Sequence, residues 1–211
     1  MTDKPATVFV VDDDPSVLKG VQRLLRSAGF TAEVFASPQE FLERHDRDAT
    51  GCVILDLAMP ELDGLQIQQA LTDLGSVLPI IFLTGHGDIP TSVHAMKRGA
   101  VDFLTKPVSD DELLSAVQSA IERCRASRQA RYEVADIERR LATLTPRERT
   151  VLAHLLAGKL NKQIAADLGT AEQTVKIHRA RIMQKMEIRT VAALVRLAER
   201  AGIKPASPVK S

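Results

Sequence analysis

Tryptophan is absent from this 211-residue chain, tyrosine occurs once, and aromatic residues make up only 3% of it. Cysteine is scarce as well. Cys52 and Cys124 lie far apart in apolar patterns, which leaves no disulfide framework and reads as two buried free thiols in a reducing cytoplasm. No long apolar run is present, so a helical membrane span is not expected. The opening MTDKPATVFVVDDD lacks a basic region followed by an apolar core, so no secretion signal is expected. What remains, 45% hydrophobic and 26% charged, is an ordinary soluble composition. The length exceeds the commonest single-domain size and predicts two domains.

A net charge of +1 conceals a strong asymmetry. Residues 1–124 hold 10 Lys and Arg against 19 Asp and Glu, whereas residues 143–211 hold 13 against 5. An acidic half is a poor partner for nucleic acid and a basic half is a good one. The expected organisation is an acidic domain over 1–124, a helical linker over 125–142, a basic helical domain over 143–203, and a flexible tail over 204–211.

In the acidic half, five short apolar runs alternate with five helical patterns, which predicts a parallel sheet covered on both faces. Thr7–Val11 runs into Asp12, Asp13 and Asp14. Cys52, Val53, Ile54 and Leu55, an unbroken apolar run typical of a strand buried on both faces, end on Asp56. Pro79–Leu83 ends at Thr84 and is followed by the turn-rich GHGDIP. Val101–Thr105 leads to Lys106-Pro107. Helices open at Asp14-Pro15, Ser37-Pro38-Gln39-Glu40, Asp63-Gly64 and Ser109-Asp110-Asp111-Glu112, each with a capping residue or capping box. Ligands of such sheets bind at the carboxyl ends of the strands, which is where Asp12, Asp13, Asp56, Thr84 and Lys106 fall. Taken singly, each could be a cap, a turn or a surface residue. Three converging carboxylates would repel one another, yet they suit Mg²⁺, a hard ion that takes oxygen ligands.

The linker, RASRQARYEVADIERRLA, is free of Gly and Pro and helix-friendly; its apolar spacing resumes at Val134, Ile137 and Leu141. It reads either as a solvated helix or as a continuation of the last helix of the acidic domain, able to pair in a dimer. In the basic half, Thr145-Pro146-Arg147-Glu148 is a capping box. Two short helices around a Gly-containing turn follow, the second of them basic, which is a helix-turn-helix pattern. Val175, Ile182 and Met186 are expected to face the core. Lys176, Ile177, Arg179, Ala180 and Lys185 are expected on the outward side.

Together VVDDD, ILDLAMPELDG, FLTGHGD and GAVDFLTKP resemble the receiver domain of two-component response regulators. The stretch LTPRER, GKLNKQIAADLGTAEQTVKIHRARIMQKM and RTVAALV resembles the LuxR-type helix-turn-helix domain. The pair resembles the NarL/FixJ family, and TGHGD favours its FixJ-like branch. The fold this implies is a doubly wound five-stranded parallel α/β sheet, flavodoxin-like, followed by an all-α four-helix domain. The implied function is transcriptional regulation: Asp56 accepts phosphate from a sensor histidine kinase, which promotes a homodimer and binding to a double-stranded DNA operator, with RNA polymerase a further partner. Asp13, Asp56 and the backbone carbonyl of Ala58 would hold Mg²⁺, with Asp12 acting mainly through a bound water. Thr84, Phe103 and Lys106 would stabilise and report the phosphoryl group, the Lys106–Pro107 peptide would be cis, and the receiver dimer contact would lie around 90–103. Phe103 lacks the hydroxyl of the Tyr often found there, and Val108 stands where many relatives have Phe. In the second domain Thr174, Lys176, Ile177 and Ala180 would meet the operator, while Asn161, Lys162, Arg179 and Arg181 would contact phosphates. His178 is given a structural or phosphate-facing role. Two rival readings are a DNA binder whose receiver ignores phosphate and a Mg²⁺-dependent phosphatase using Asp12 as nucleophile. The chain is not expected to be an enzyme or to meet a membrane.

Overall fold

A computed structural model describes residues 5–60, 62–85 and 89–203 of the chain. Residues 86–88 of the GHGDIP turn and the whole 204–211 tail lie outside the described residues. The chain divides into two compact units after Gln129.

The first unit holds the strands β1 (Thr7–Val11), β2 (Thr31–Phe35), β3 (Gly51–Leu55), β4 (Ile80–Thr84) and β5 (Asp102–Thr105). They pair in parallel in the order β2-β1-β3-β4-β5. Successive strand side chains point to opposite faces. Along β3, Cys52 and Ile54 accordingly enter one core and Val53 and Leu55 the other. The first core is closed by α1 (Pro15–Ser27) and the start of α5 (Asp110–Ala142) through Leu18, Leu25, Leu113 and Val117. The second is closed by α2 (Pro38–Arg44), α3 (Gly64–Asp73) and α4 (Ile89–Lys97) through Phe41, Ile67 and Ala95. This is the doubly wound sheet, with its strand order reversing between β1 and β3, so the crevice beyond their carboxyl ends is the place for a ligand.

Local chemistry sets the helix starts. The Asp14 carboxylate accepts from the Ser16 N–H at 2.7 Å. Asp63 and Gln66 form a reciprocal capping box at the start of α3. β5 begins at Asp102, one residue later than the apolar run indicates.

The helix α5 is continuous for 33 residues. The first unit extends past residue 124 because the Arg128 guanidinium donates to the Asp48 and Ala49 carbonyls just before β3. Farther along the same helix, Ile137 and Leu141 pack into the second unit's core.

The second unit adds α6 (Pro146–Leu156), α7 (Asn161–Asp167), α8 (Glu172–Lys185) and α9 (Val191–Arg200). Val151, Leu155, Ile164, Val175, Ile182, Met186 and Leu194 fill its core. Val175, Ile182 and Met186 thus face inward, as the spacing requires. Among the described residues no helix is long and apolar enough to cross a membrane.

Candidate functional site

Asp12 and Asp56 sit at the carboxyl ends of two adjacent strands, and both are buried. Their backbones are locked together, since the Asp56 N–H donates to the Val11 carbonyl at 2.9 Å. Lys106, immediately after β5, reaches between them. Its ammonium donates to Asp12 Oδ2 at 2.6 Å and to Asp56 Oδ1 at 3.2 Å. One cation on two carboxylates across 94 and 50 residues is the central connection of the site.

Each remaining oxygen is also oriented. The Asp14 N–H donates to Asp12 Oδ1 at 2.9 Å, and the Ala58 N–H donates to Asp56 Oδ2 at 3.2 Å. Burial pushes the Asp12 carboxyl above the usual carboxylate range, against the lowering pull of Lys106 and the Asp14 backbone. Burial alone would push the Lys106 ammonium down; its hydrogen bond to Asp12 and the two carboxylate charges outweigh that and raise it. Lys106 therefore offsets only part of the Asp12 desolvation, whereas the carboxylates more than offset that of Lys106.

The convergence of three carboxylates is not found. Asp13 is exposed, and among the described residues no group of three or more His, Cys, Asp or Glu is placed to hold a metal ion. The single Lys106 ammonium already leaves Asp12 and Asp56 one negative charge in excess, and a third carboxylate in the buried crevice would add to that excess. Ala58 engages Asp56 through its N–H. The donor chemistry still fits Mg²⁺: Asp12 and Asp56 offer hard carboxylate oxygens at one mouth, with Asp13 beside them at the rim.

Thr84 is fully buried at the end of β4, and its carbonyl accepts the Lys106 N–H at 2.8 Å. The Lys106–Pro107 peptide is cis. Phe103 is half-buried on β5 with its ring 5.9 Å from that of Phe82. The structure thus brings Asp12, Asp56 and Lys106 into contact, and places Thr84 behind them through the Lys106 backbone.

Gly64, the first residue of α3, is a participant that the motif pattern did not single out. A Cβ there would lie 2.6 Å from the Asp56 carbonyl oxygen and 2.8 Å from the Phe82 ring. Only glycine lets α3 start this close to the strand that carries Asp56. The Asp63-Gly64 pair was legible as a helix start, but a close approach has no signature in one sequence.

In the second unit the outward face of α8 carries Lys176, Ile177, Ala180 and Arg181, all exposed, with Thr174 half-buried. Lys176 pairs with Glu172 at 3.2 Å, one turn earlier on the same helix. Ile177 is 46% exposed among these charges, and no packing role accounts for it. Lys162 is exposed at the start of α7, and Arg179 reaches back to Asn161 Oδ1 at 3.4 Å, which places the start of α7 beside the middle of α8. His178 is half-buried, and its Nδ1 is enclosed without a partner among the described residues.

Lys185 departs from expectation. Instead of facing outward, it donates to buried Glu148 at 2.7 Å and to the Thr143 carbonyl at 2.9 Å. Glu148 was legible only as part of a capping box. It closes that box at Thr145 and also takes the Lys185 ammonium, whose hydrogen bond, with the Thr145 N–H, holds its carboxyl below the usual range.

Comparison with known proteins places both units in known families. Residues 8–118 match the response regulator receiver domain, and residues 142–198 match the luxR family of bacterial regulatory proteins. Nodulation protein W of Bradyrhizobium diazoefficiens is 48% identical over 198 residues, 94% of this chain and 87% of that protein. The transcriptional regulatory protein FixJ of the same organism is 41% identical over 196 residues, 93% and 96% of the two chains. The solved structure of the response regulator StyR superposes with a TM-score of 0.84 at 46% identity, covering 93% of this chain and 99% of that one.

Proposed function

Because this chain belongs to the two-component response regulators that join a receiver domain to a LuxR-type DNA-binding domain, the FixJ-like group, we propose that it is a transcriptional regulator switched by phosphate on Asp56. The observation that carries this is the Lys106 ammonium shared by Asp12 and Asp56 at the strand-order reversal.

The Asp56 carboxylate attacks the phosphorus of a phosphohistidine on a sensor kinase. A P–O bond forms, the P–N bond breaks, and the imidazole leaves with a proton. The Ala58 N–H fixes the carboxylate's orientation for that in-line approach. Lys106 supplies positive charge where phosphoryl oxygens gather. Mg²⁺, held by Asp12, Asp13, Asp56 and the Ala58 carbonyl, would neutralise further charge on those oxygens. Thr84 then offers its hydroxyl to the phosphoryl group, and Phe103, with no hydroxyl of its own, answers by repacking against Phe82. The phosphorylated form dimerises through the region around 90–103, where Val93 and Met96 of α4 are exposed apolar residues in want of cover.

In the second unit α8 enters the major groove. Lys176, Ile177 and Ala180 meet base edges, Ala180 through a thymine methyl, and Thr174 contacts the operator beside them, while Asn161, Lys162, Arg179 and Arg181 hold phosphates and set the register. The regulator works in the cytoplasm with RNA polymerase as its downstream partner.

The test is mass spectrometry after treatment with a small phosphodonor and Mg²⁺, joined to operator-binding measurements. A single phosphate on Asp56, its loss in Asp56→Asn, and tighter operator binding by the phosphorylated chain are the expected outcomes. Phosphate on Asp12 would overturn the assignment, and equal operator affinity with and without phosphate would overturn the switch.

A further inference from the structure

The C-terminal end of α8 is held by a side chain from outside the helix-turn-helix. Arg140, near the end of α5, donates from Nη1 to the carbonyl of Met186, the residue that closes α8, at 3.1 Å. Its Nη2 pairs with Glu187 Oε2 at 3.1 Å and with Asp136 Oδ2, one turn earlier on α5, at 2.6 Å. A cation on the last carbonyls of a helix satisfies an acceptor that the helix itself leaves without a partner, and it complements the helix dipole. Asp136 and Arg140 both precede the stretch 142–198 that matches the luxR family.

Glu187 is the second unusual feature of this corner. With φ of 53° it is the one non-glycine residue among the described residues in the left-handed region. Its N–H donates to the Gln184 carbonyl at 3.1 Å, and the Ile188 N–H donates to the Met183 carbonyl at 3.0 Å, a helix ending that ordinarily carries glycine. The helices α1, α3, α4, α6, α7 and α9 do place glycine there, as Gly29, Gly75, Gly99, Gly158, Gly169 and Gly202. Glu187 keeps 70% of its side chain accessible, and a pair so solvated contributes little stability. Stability therefore does not account for a carboxylate at this strained position. Fixing the Arg140 guanidinium across the end of α8, together with Asp136, does.

Ala180, on the outward side of α8, precedes Met186 by six residues, about 9 Å along the axis. A tilt of about 10° at that end moves Ala180 by about 1.5 Å, against a tolerance of about 0.5 Å for a preorganised site. Phosphate contacts tolerate such a shift because charge acts over distance, whereas contacts to base edges do not. Val175, Ile182 and Met186 bury α8 in the core, and Lys185 has its own ties to Thr143 and Glu148, so the helix stays folded without Arg140.

We propose that Arg140 is a positioning residue for operator recognition: from α5, with Asp136 and Glu187 orienting its guanidinium, it sets the tilt of α8. The inference rests on the reading of α8 as the helix that meets base edges.

Fluorescence anisotropy on the full chain, with the small phosphodonor and Mg²⁺ present, tests it. The probes are a duplex that the parent chain selects from a random pool and the unselected pool itself, and the readout is the ratio of the two affinities. Arg140→Met and Arg140→Lys, which lose the planar fork, each lower that ratio about tenfold, the size of one spoiled base contact, with affinity for the pool within about twofold of the parent's. Glu187→Gly relieves the backbone, so its urea midpoint does not fall, yet its ratio drops about threefold. A merely structural corner would leave the Glu187→Gly ratio unchanged. Arg140→Met combined with Glu187→Gly lowers the ratio no further than Arg140→Met alone, because the carboxylate acts through the guanidinium. Should Arg140→Met not fold, Arg140→Lys and Glu187→Gly decide. Ratios within about twofold of the parent's in the folded variants overturn the inference, as do losses that add in the double variant. A parent chain that enriches no sequence from the pool overturns the reading of α8, and this inference with it.

Discussion

At the residue scale the first unit turns on two carboxylates that share one ammonium. Asp12 and Asp56 are buried, and Lys106 keeps a quarter of its side chain accessible. Replacing Lys106 with Met leaves two facing carboxylates without their counter-ion. The expected cost is about 2 kcal/mol at neutral pH, less than the ~3–5 of a fully enclosed pair because the ammonium is partly solvated. Urea denaturation measures it, and the deficit should shrink on acidification as the carboxyls take up protons. Glu148 makes the opposite pH argument. Its folded carboxyl is held low by Lys185 and the Thr145 N–H, so its contribution is present above the usual Glu value near ~4.3 and is lost as pH falls through its lower folded value. Glu148→Gln should therefore weaken hydrogen-exchange protection of the α6 amides at pH 7, with the difference from the parent chain fading below about pH 4.

Elements add constraints that single residues do not reveal. The apolar runs of β1, β3 and β4 were readable as strands buried on both faces because they lack alternation, and Asp14, Ser37, Asp63 and Thr145 were readable as caps because their oxygens satisfy free N–H groups. The start of α3 is different. Gly64 is there because α3 begins within van der Waals reach of the Asp56 backbone and the Phe82 ring. Gly64→Ala should cost about 1–3 kcal/mol through overpacking, and should slow phosphorylation of Asp56 by shifting the loop that carries it. Comparing the urea midpoint with the initial phosphorylation rate from a small phosphodonor checks both.

For the whole molecule, the division of charge matches the proposed division of work: an acidic unit for the phosphoryl chemistry, a basic unit for nucleic acid. Arg181 is exposed on α8. Arg181→Ala should weaken DNA binding by similar factors on operator and unrelated DNA, and flatten the slope of log affinity against log salt by about 1. Fluorescence anisotropy over a salt series reads this directly. A change confined to the operator would instead make Arg181 a base reader.

The sequence by itself determined the two-domain plan, the strand and helix order, the helix caps, and the positions of Asp56, Asp12, Thr84 and Lys106 at strand ends. These follow from local rules: period, capping chemistry, and the tendency of polar residues to stop buried strands. Only the tertiary structure decided that Lys106 bridges Asp12 and Asp56 while Asp13 stays exposed, that Lys185 turns inward to Glu148, and that Arg140 reaches the Met186 carbonyl. Each of those depends on side chains distant in sequence meeting in a space from which water is largely excluded. There the compensation of charge and hydrogen bonds, which no local pattern encodes, chooses which groups may enter.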